Sequence, residues 1–194
     1  MVRRIELPVS AEAVRNLKIG EEIEIYGRVI TARDMGHKYL VENDAKWIEP
    51  YLNGGMIYHC GPVMVNRKGA WRAISAGPTT SIREEPYQAK VITKYGVRGV
   101  IGKGGMGADT LAACRRHGCV YLHAIGGAAV AIASTIVDIE DVFMLDEFGM
   151  PEAFWVMRVE GFKTVVTMDA HGTSLHDQVT GKSRTALSRL LAKS

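Results

Sequence analysis

The chain has 194 residues, of which 47% are apolar and 23% charged, a balance that supports a packed core and excludes a disordered chain. Its net charge of +3 is scattered rather than gathered into basic runs, and its few aromatics do not interleave with Lys or Arg, which argues against a nucleic-acid surface. No apolar stretch reaches the roughly 18–20 residues of a bilayer span, and three cysteines (Cys60, Cys114, Cys119) with no secretory signal before them point to a reduced, cytoplasmic protein.

In chain order, Ile5–Pro8 reads as a strand. Ser10 then caps a short helix, AEAVRNLK, which Gly20 closes. EEIEIYGRVITAR alternates apolar and polar residues and predicts a strand ending near Arg33; DMGHKYLVEN predicts a helix with Asp34 at its cap. MIYHCGPVMV and WRAISAG predict two strands joined by a turn over Asn66-Arg67-Lys68-Gly69. EPYQAKVITKYG predicts a helix closed by Gly96, VRGVI a buried strand, ADTLAACRRHG a helix closed by Gly118, and CVYLHAI the next strand. GGAAVAIAS predicts a tightly packed interior helix. FWVMRVE and TVVTMDA predict strands separated by a turn, and an amphipathic helix closes the chain at about 182–193. The middle alternates strand and helix, which predicts α/β architecture with parallel central strands, whereas the early strands read as antiparallel. No linker divides the chain, so residues 1–194 read as one domain.

GKGGMG, from Gly102, spells G-x-G-x-x-G between a strand and a helix. A dinucleotide fingerprint also needs an acidic residue about 20 positions on. VYLHAI ends instead in His123 and then Gly126-Gly127, so that reading fails. The Walker pattern fails too, because no Lys-Ser or Lys-Thr stands at the right offset. What remains is an anion site: glycines permit close backbone approach, free N–H groups and the helix dipole favour negative charge, and Lys103 adds a full charge.

Two further segments end strands with cations and hydroxyls. ITARDMGH supplies Arg33, Asp34 and His37, and SAGPTTSIR supplies Thr79, Thr80, Ser81 and Arg83. With Lys103, these turns converge on a small di-anion, since Arg binds a carboxylate bidentately and Lys acts as a point charge. The three cysteines read as buried structural residues, and His59, His123 and His171 lack the spacing of a zinc site.

GPTTSIR, then VIGKGGM, AIGGAA and MPEAFWVMRVEGF, strongly resemble the beta subunit of class I fumarate hydratase and L(+)-tartrate dehydratase, which are iron–sulfur hydro-lyases. The likeness runs from about ITARDMGHKYL to TVVTMDAHG. The resemblance implies a swivelling β/β/α domain, an α/β fold with a mixed sheet core and flanking helices. It also implies an alpha subunit that carries a [4Fe–4S] cluster on its own cysteines, in an α2β2 assembly, or the same module at the C-terminus of a single longer chain. Arg33, Thr79, Arg83 and Lys103 would line the dicarboxylate, with Thr80 beside them. Thr79 would be the base that takes the C3 proton, and Lys103 the cation at the reacting end. Where relatives often read R-M-D after GPTTS, this chain reads Arg83-Glu84-Glu85-Pro86. Fumarate hydration to L-malate is the first expectation. Tartrate dehydration to oxaloacetate and a non-catalytic dicarboxylate-binding module are the alternatives.

Overall fold

A computed structural model describes residues 2–192. The strands are β1 (Arg3–Glu6), β2 (Glu22–Thr31), β3 (Met56–Tyr58), β4 (Val63–Arg67), β5 (Ala70–Ser75), β6 (Gly99–Gly102), β7 (Val120–His123), β8 (Ile136–Phe143) and β9 (Phe154–Met168). The helices are α1 (Ala11–Arg15), α2 (Asp34–Glu42), α3 (Glu49–Leu52), α4 (Glu85–Tyr95), α5 (Ala108–His117), α6 (Ala129–Ala133), α7 (Leu145–Phe148) and α8 (Leu175–Leu191).

Seven strands form one mixed sheet in the order β1-β2-β3-β6-β7-β9-β8, and β4 and β5 make a separate hairpin. β1, β2, β3, β6 and β7 run parallel, and β9 is antiparallel to its neighbours. β9 also pairs with β2 over most of its length, so the ladder β2-β3-β6-β7-β9 returns to β2 and closes on itself. The result is the mixed α/β fold with a mixed sheet core and flanking helices that the sequence predicts.

One sheet face carries Ile23, Met56, Tyr58, Leu122, Trp155 and Phe162. The other carries Ile57, Val100, Tyr121 and Val156 under Leu40 of α2, Val91 and Ile92 of α4, and Cys114 of α5. β6 and β7 are buried on both faces, which explains their short, continuous apolar runs. Ser10 accepts a hydrogen bond from the Ala13 N–H, and Gly96 and Gly118 end α4 and α5 in the left-handed region, as expected from their places in the sequence.

Several expectations change. Of the early strands, β1, β2 and β3 are parallel, because the helical segments between them carry the chain back to the same sheet end, while β4 and β5 pair antiparallel as expected. The run from Met56 breaks at Cys60-Gly61-Pro62, so β3 joins the main sheet and β4 the hairpin. FWVMRVE and TVVTMDA form one strand, with Gly161 (φ +71°) absorbed as a bulge where Ile25 and Tyr26 of β2 face Phe162 and Glu160. β8, IVDIEDVF, was hidden by its three acidic residues and by the two register shifts in its pairing with β9. The GGAAVAIAS helix is only α6, with Val130 71% exposed, so it is not interior. The last helix begins at Leu175, capped by Ser174, well before 182, and the end expected near 193 lies outside the described residues. Among the described residues, no helix is long and apolar enough to cross a membrane.

Candidate active site

The carboxyl ends of β2, β3, β6 and β7 open on one side of the sheet, where α/β folds bind ligands. The Thr79–Ser81 segment wedges in here by main-chain bonds. The Thr79 N–H donates to the His59 carbonyl (2.7 Å), the Lys103 N–H to the Thr79 carbonyl (3.3 Å), and the Ser81 N–H to the Lys103 carbonyl (3.0 Å). Thr80 and Lys103 pair as a parallel bridge. Two candidates 24 positions apart, Thr79 and Lys103, are thus brought side by side by backbone alone. Gly102 makes the fit possible, because a Cβ there would run into the Ser81 hydroxyl.

Arg33 follows β2, and its Nε lies 3.3 Å from Glu152 Oε1 without hydrogen-bond alignment. Glu152 Oε2 accepts the Met35 N–H (3.1 Å), so one carboxylate fixes both the Arg33 side chain and the start of α2. Gly61 leaves room for the guanidinium: a Cβ there would stand 2.6 Å from Arg33 Nη1. Arg83 is exposed and ion-paired with Asp34. Asp34 therefore serves that pair rather than the helix cap, which is Arg33 without a side-chain bond. Among the described residues, Lys103 has no carboxylate within ion-pair reach, and its stem passes over Gly126. Thr80, Ile82, Arg83, Gly104 and Ile125 are exposed, so Lys103 and Arg83 stand on an open face while Arg33 is half-buried.

The start of α5 corrects the reading of GKGGMG. Its free N–H groups already hold an anion, and it is the protein's own. The Glu85 carboxylate accepts the N–H groups of Gly107 (2.8 Å), Asp109 (3.1 Å) and Thr110 (3.2 Å) and the Thr110 hydroxyl (2.6 Å). Replacing Glu85 by Ala is expected to destabilise the fold by about 2 kcal/mol, the upper end for a lost N-terminal cap; chemical denaturation measures it, and an unchanged midpoint would show that the cap carries nothing. Glu85 and Pro86, at the start of α4, account structurally for two positions of the Glu84-Glu85-Pro86 departure.

Beneath the cations lies a buried polar chain that sequence reasoning missed. His37 Nδ1 meets the Arg33 carbonyl (2.9 Å), His37 Nε2 meets the Gln88 side chain (2.8 Å), and Gln88 meets His59 Nε2 (2.9 Å). His59 Nδ1 reaches Ser81 Oγ (2.9 Å), which accepts from the Tyr121 hydroxyl (2.9 Å), which accepts from the Gly105 N–H (3.3 Å). Burial lowers the His37 pKa to about 4 and pushes His59 well below its ordinary value. Glu84 is 1% exposed beside His59, and burial raises its carboxyl to about 7 against the opposing pull of Arg83 and Arg33. A signal was present: Gln88, Val91, Ile92 and Tyr95 share the buried face of α4, and a glutamine in that stripe needs a partner.

Buried side-chain atoms without a protein partner collect here: Arg33 Nε, Asp34 Oδ1, Thr79 Oγ1 and both Glu84 oxygens. Such groups are costly in a core but suit a place that receives a polar ligand. The cysteines do not fit a cluster. Cys60 lies on one sheet face and Cys114 and Cys119 on the other. Burial raises the Cys60 thiol to about 12, and contact with Cys119, then burial, raises Cys114. Among the described residues, no three His, Cys, Asp or Glu are grouped to hold a metal ion.

Known proteins bear on this geometry. The family model described as Fumarase C-terminus matches residues 1–179. A Geobacillus stearothermophilus protein provisionally named fumarate hydratase class I is 51% identical over 186 residues, which are 95% of this chain and 35% of that protein. The chain thus spans about a third of that relative's length. The L(+)-tartrate dehydratase subunit beta of Escherichia coli K12 is 37% identical over 177 residues, 90% of this chain and 87% of that subunit. A Methanocaldococcus jannaschii protein provisionally given the same name is 36% identical over 181 residues, covering 92% and 93% of the two chains.

Proposed function

The chain belongs to the Fumarase C-terminus family, and from that membership we propose that it is the beta-type half of a hydro-lyase that interconverts fumarate and L-malate. The observation that carries the reading is the Thr79–Lys103 pair: a buried hydroxyl without a protein partner, on a segment held by main-chain bonds against that of a lysine which, among the described residues, has no carboxylate in ion-pair reach. The 51% identity to a relative named for fumarate supports that substrate. Tartrate dehydration is the second reading, supported by the 36–37% identity to relatives named tartrate dehydratase subunit beta.

Arg33, Arg83 and Lys103 bind the two carboxylates of the four-carbon acid, and Thr80 lies at the rim. In the dehydration direction, Thr79 takes the proton from the carbon beside one carboxylate. Negative charge then builds on that carboxylate, and Lys103 stabilises it more than it stabilises the ground state. A threonine hydroxyl ordinarily holds its proton far too tightly to act as a base, and the neighbouring cation favours its alkoxide. The open face around Lys103 supports a requirement for a partner subunit to complete the site. We place the [4Fe–4S] cluster, with its Lewis-acid chemistry, on that partner.

The test is reconstitution. The chain is mixed anaerobically with a cluster-loaded alpha-type partner, and fumarate and L(+)-tartrate consumption are followed separately. Turnover by the mixture and not by the chain alone is expected. No turnover of either acid with the cluster intact would sink the reading.

A further inference from the structure

We infer that Gln88 is a positioning residue: its side-chain amide donates one hydrogen to His37 Nε2 and the other to His59 Nε2, and so locks the Arg33, Thr79 and Lys103 segments into one site. The inference rests on the proposed hydro-lyase reading for its kinetic consequences, but not for its chemistry.

The chemistry follows from which groups can donate. His37, His59 and Gln88 are each 0% exposed, and the two imidazole rings meet edge to face with centroids 5.0 Å apart. The Arg33 carbonyl only accepts, so His37 Nδ1 carries a hydrogen. Burial keeps His37 neutral, and a neutral imidazole has one N–H. His37 Nε2 is therefore a bare lone pair that needs a donor. The Gln88 atom against it, 2.8 Å away, also stands 2.9 Å from His59 Nε2. The structure places Oε1 there, and a half-turn about the last side-chain bond exchanges it for Nε2. An oxygen in that place would face the His37 lone pair. The NH2 group has one hydrogen for each ring. The exchange also moves the otherwise unpartnered Nε2 into use and leaves a carbonyl oxygen in its stead, which a core tolerates better than two orphaned N–H hydrogens.

With His59 Nε2 accepting, its Nδ1–H donates to Ser81 Oγ. Ser81 sits one residue beyond Thr80, and its own N–H holds the Lys103 carbonyl. Tyr121 carries the connection on to Gly105, two residues after Lys103. One amide thus stands between the segment bearing Arg33 and the segments bearing Thr79 and Lys103. Removing its hydrogens uncouples them without removing any group that would touch substrate.

Two measurements on the full chain and its reconstituted complex test this. In wild type, 15N imidazole resonances of His37 and His59 are expected to report the neutral Nδ1–H tautomer for both; an Nε2–H tautomer at either ring overturns the inference. Gln88→Met, close in shape but with no donor, and Gln88→Glu, which carries at most one hydrogen and so cannot serve both rings, are then compared with wild type in the complex, well below their melting temperatures. A fall in kcat/KM of at least about tenfold is expected for both, with KM raised, since misplacement by an ångström is enough to cost that much. If the variants only melt earlier and keep wild-type kcat and KM, Gln88 is structural and the inference falls. If Gln88→Met does not fold, the isosteric Gln88→Glu and the wild-type tautomers decide it. If the wild-type complex turns over neither acid, the hydro-lyase reading falls, and the tautomers still decide the role of the amide.

Discussion

Replacing Lys103 by Ala is expected to lower kcat/KM of the reconstituted complex by on the order of 10²–10³, the usual loss for one preorganised donor to a developing anion, while the melting temperature stays where it was. The Lys103 main chain holds Thr79 and Ser81, and those bonds survive the substitution. The side chain itself pairs with no carboxylate among the described residues, so the fold loses little with it. Thr79→Val sharpens the contrast. It keeps the branched shape and deletes a buried oxygen that has no protein partner. Activity is expected to drop by a similar factor while stability holds or rises, because an unpaired buried hydroxyl is costly. Steady-state kinetics and thermal melts on the same preparations separate the two effects. Wild-type turnover in either variant would remove that residue from the catalytic assignment, and a large loss of stability would make its role structural.

Glu84→Gln is expected to stabilise the chain in a pH-dependent way. The folded state raises the Glu84 carboxyl from its ordinary 4.5 to about 7, so it binds that proton more tightly than the unfolded chain does. The stabilising contribution is complete below pH 4.5, shrinks as the pH climbs, and is gone above about 7. At about 1.4 kcal/mol per pH unit across that gap, the cost of the buried charge at pH 8 is on the order of 3 kcal/mol. His37 and His59 act with the opposite sign. Their pKa values are lowered, so their contribution is complete above 6.5 and is lost as the pH falls, for His37 down through about 4. Between 4.5 and 6.5 the two trends oppose each other in the wild type. Glutamine leaves the histidine trend unopposed. The variant should match wild type near pH 4.5, gain steadily, and exceed it at pH 8. Denaturant titrations across this range give the answer; a gap that does not widen with pH would show that Glu84 does not hold its proton in the fold.

The sequence made the central architecture legible where local signals agreed. The glycines closing α4 and α5, the short apolar runs of β6 and β7, and the cation-bearing turns after β2 and β6 are all local features. What it hid depends on contacts between distant segments. The β2–β9 pairing that closes the ladder joins residues well over a hundred positions apart, and no local pattern reports it. The α5 N-terminus read correctly as an anion site, but the anion came from Glu85 on another helix. His59 lacks metal-site spacing, and its partners, Gln88 and Ser81, come from later segments, so no local pattern marks it.

The wedge of Thr79–Ser81 between the ends of β3 and β6 has a consequence for how such a site changes over time. The contacts that seat Thr79 and Thr80 are amide to carbonyl, with the Ser81 hydroxyl anchoring the far end, so at Thr80 the frame is indifferent to the side chain it displays. On the proposed hydro-lyase reading, a substitution at Thr80 alters what reaches the ligand without moving the platform, and discrimination between an unsaturated diacid and a hydroxylated one drifts by single steps, each tested on an unchanged scaffold.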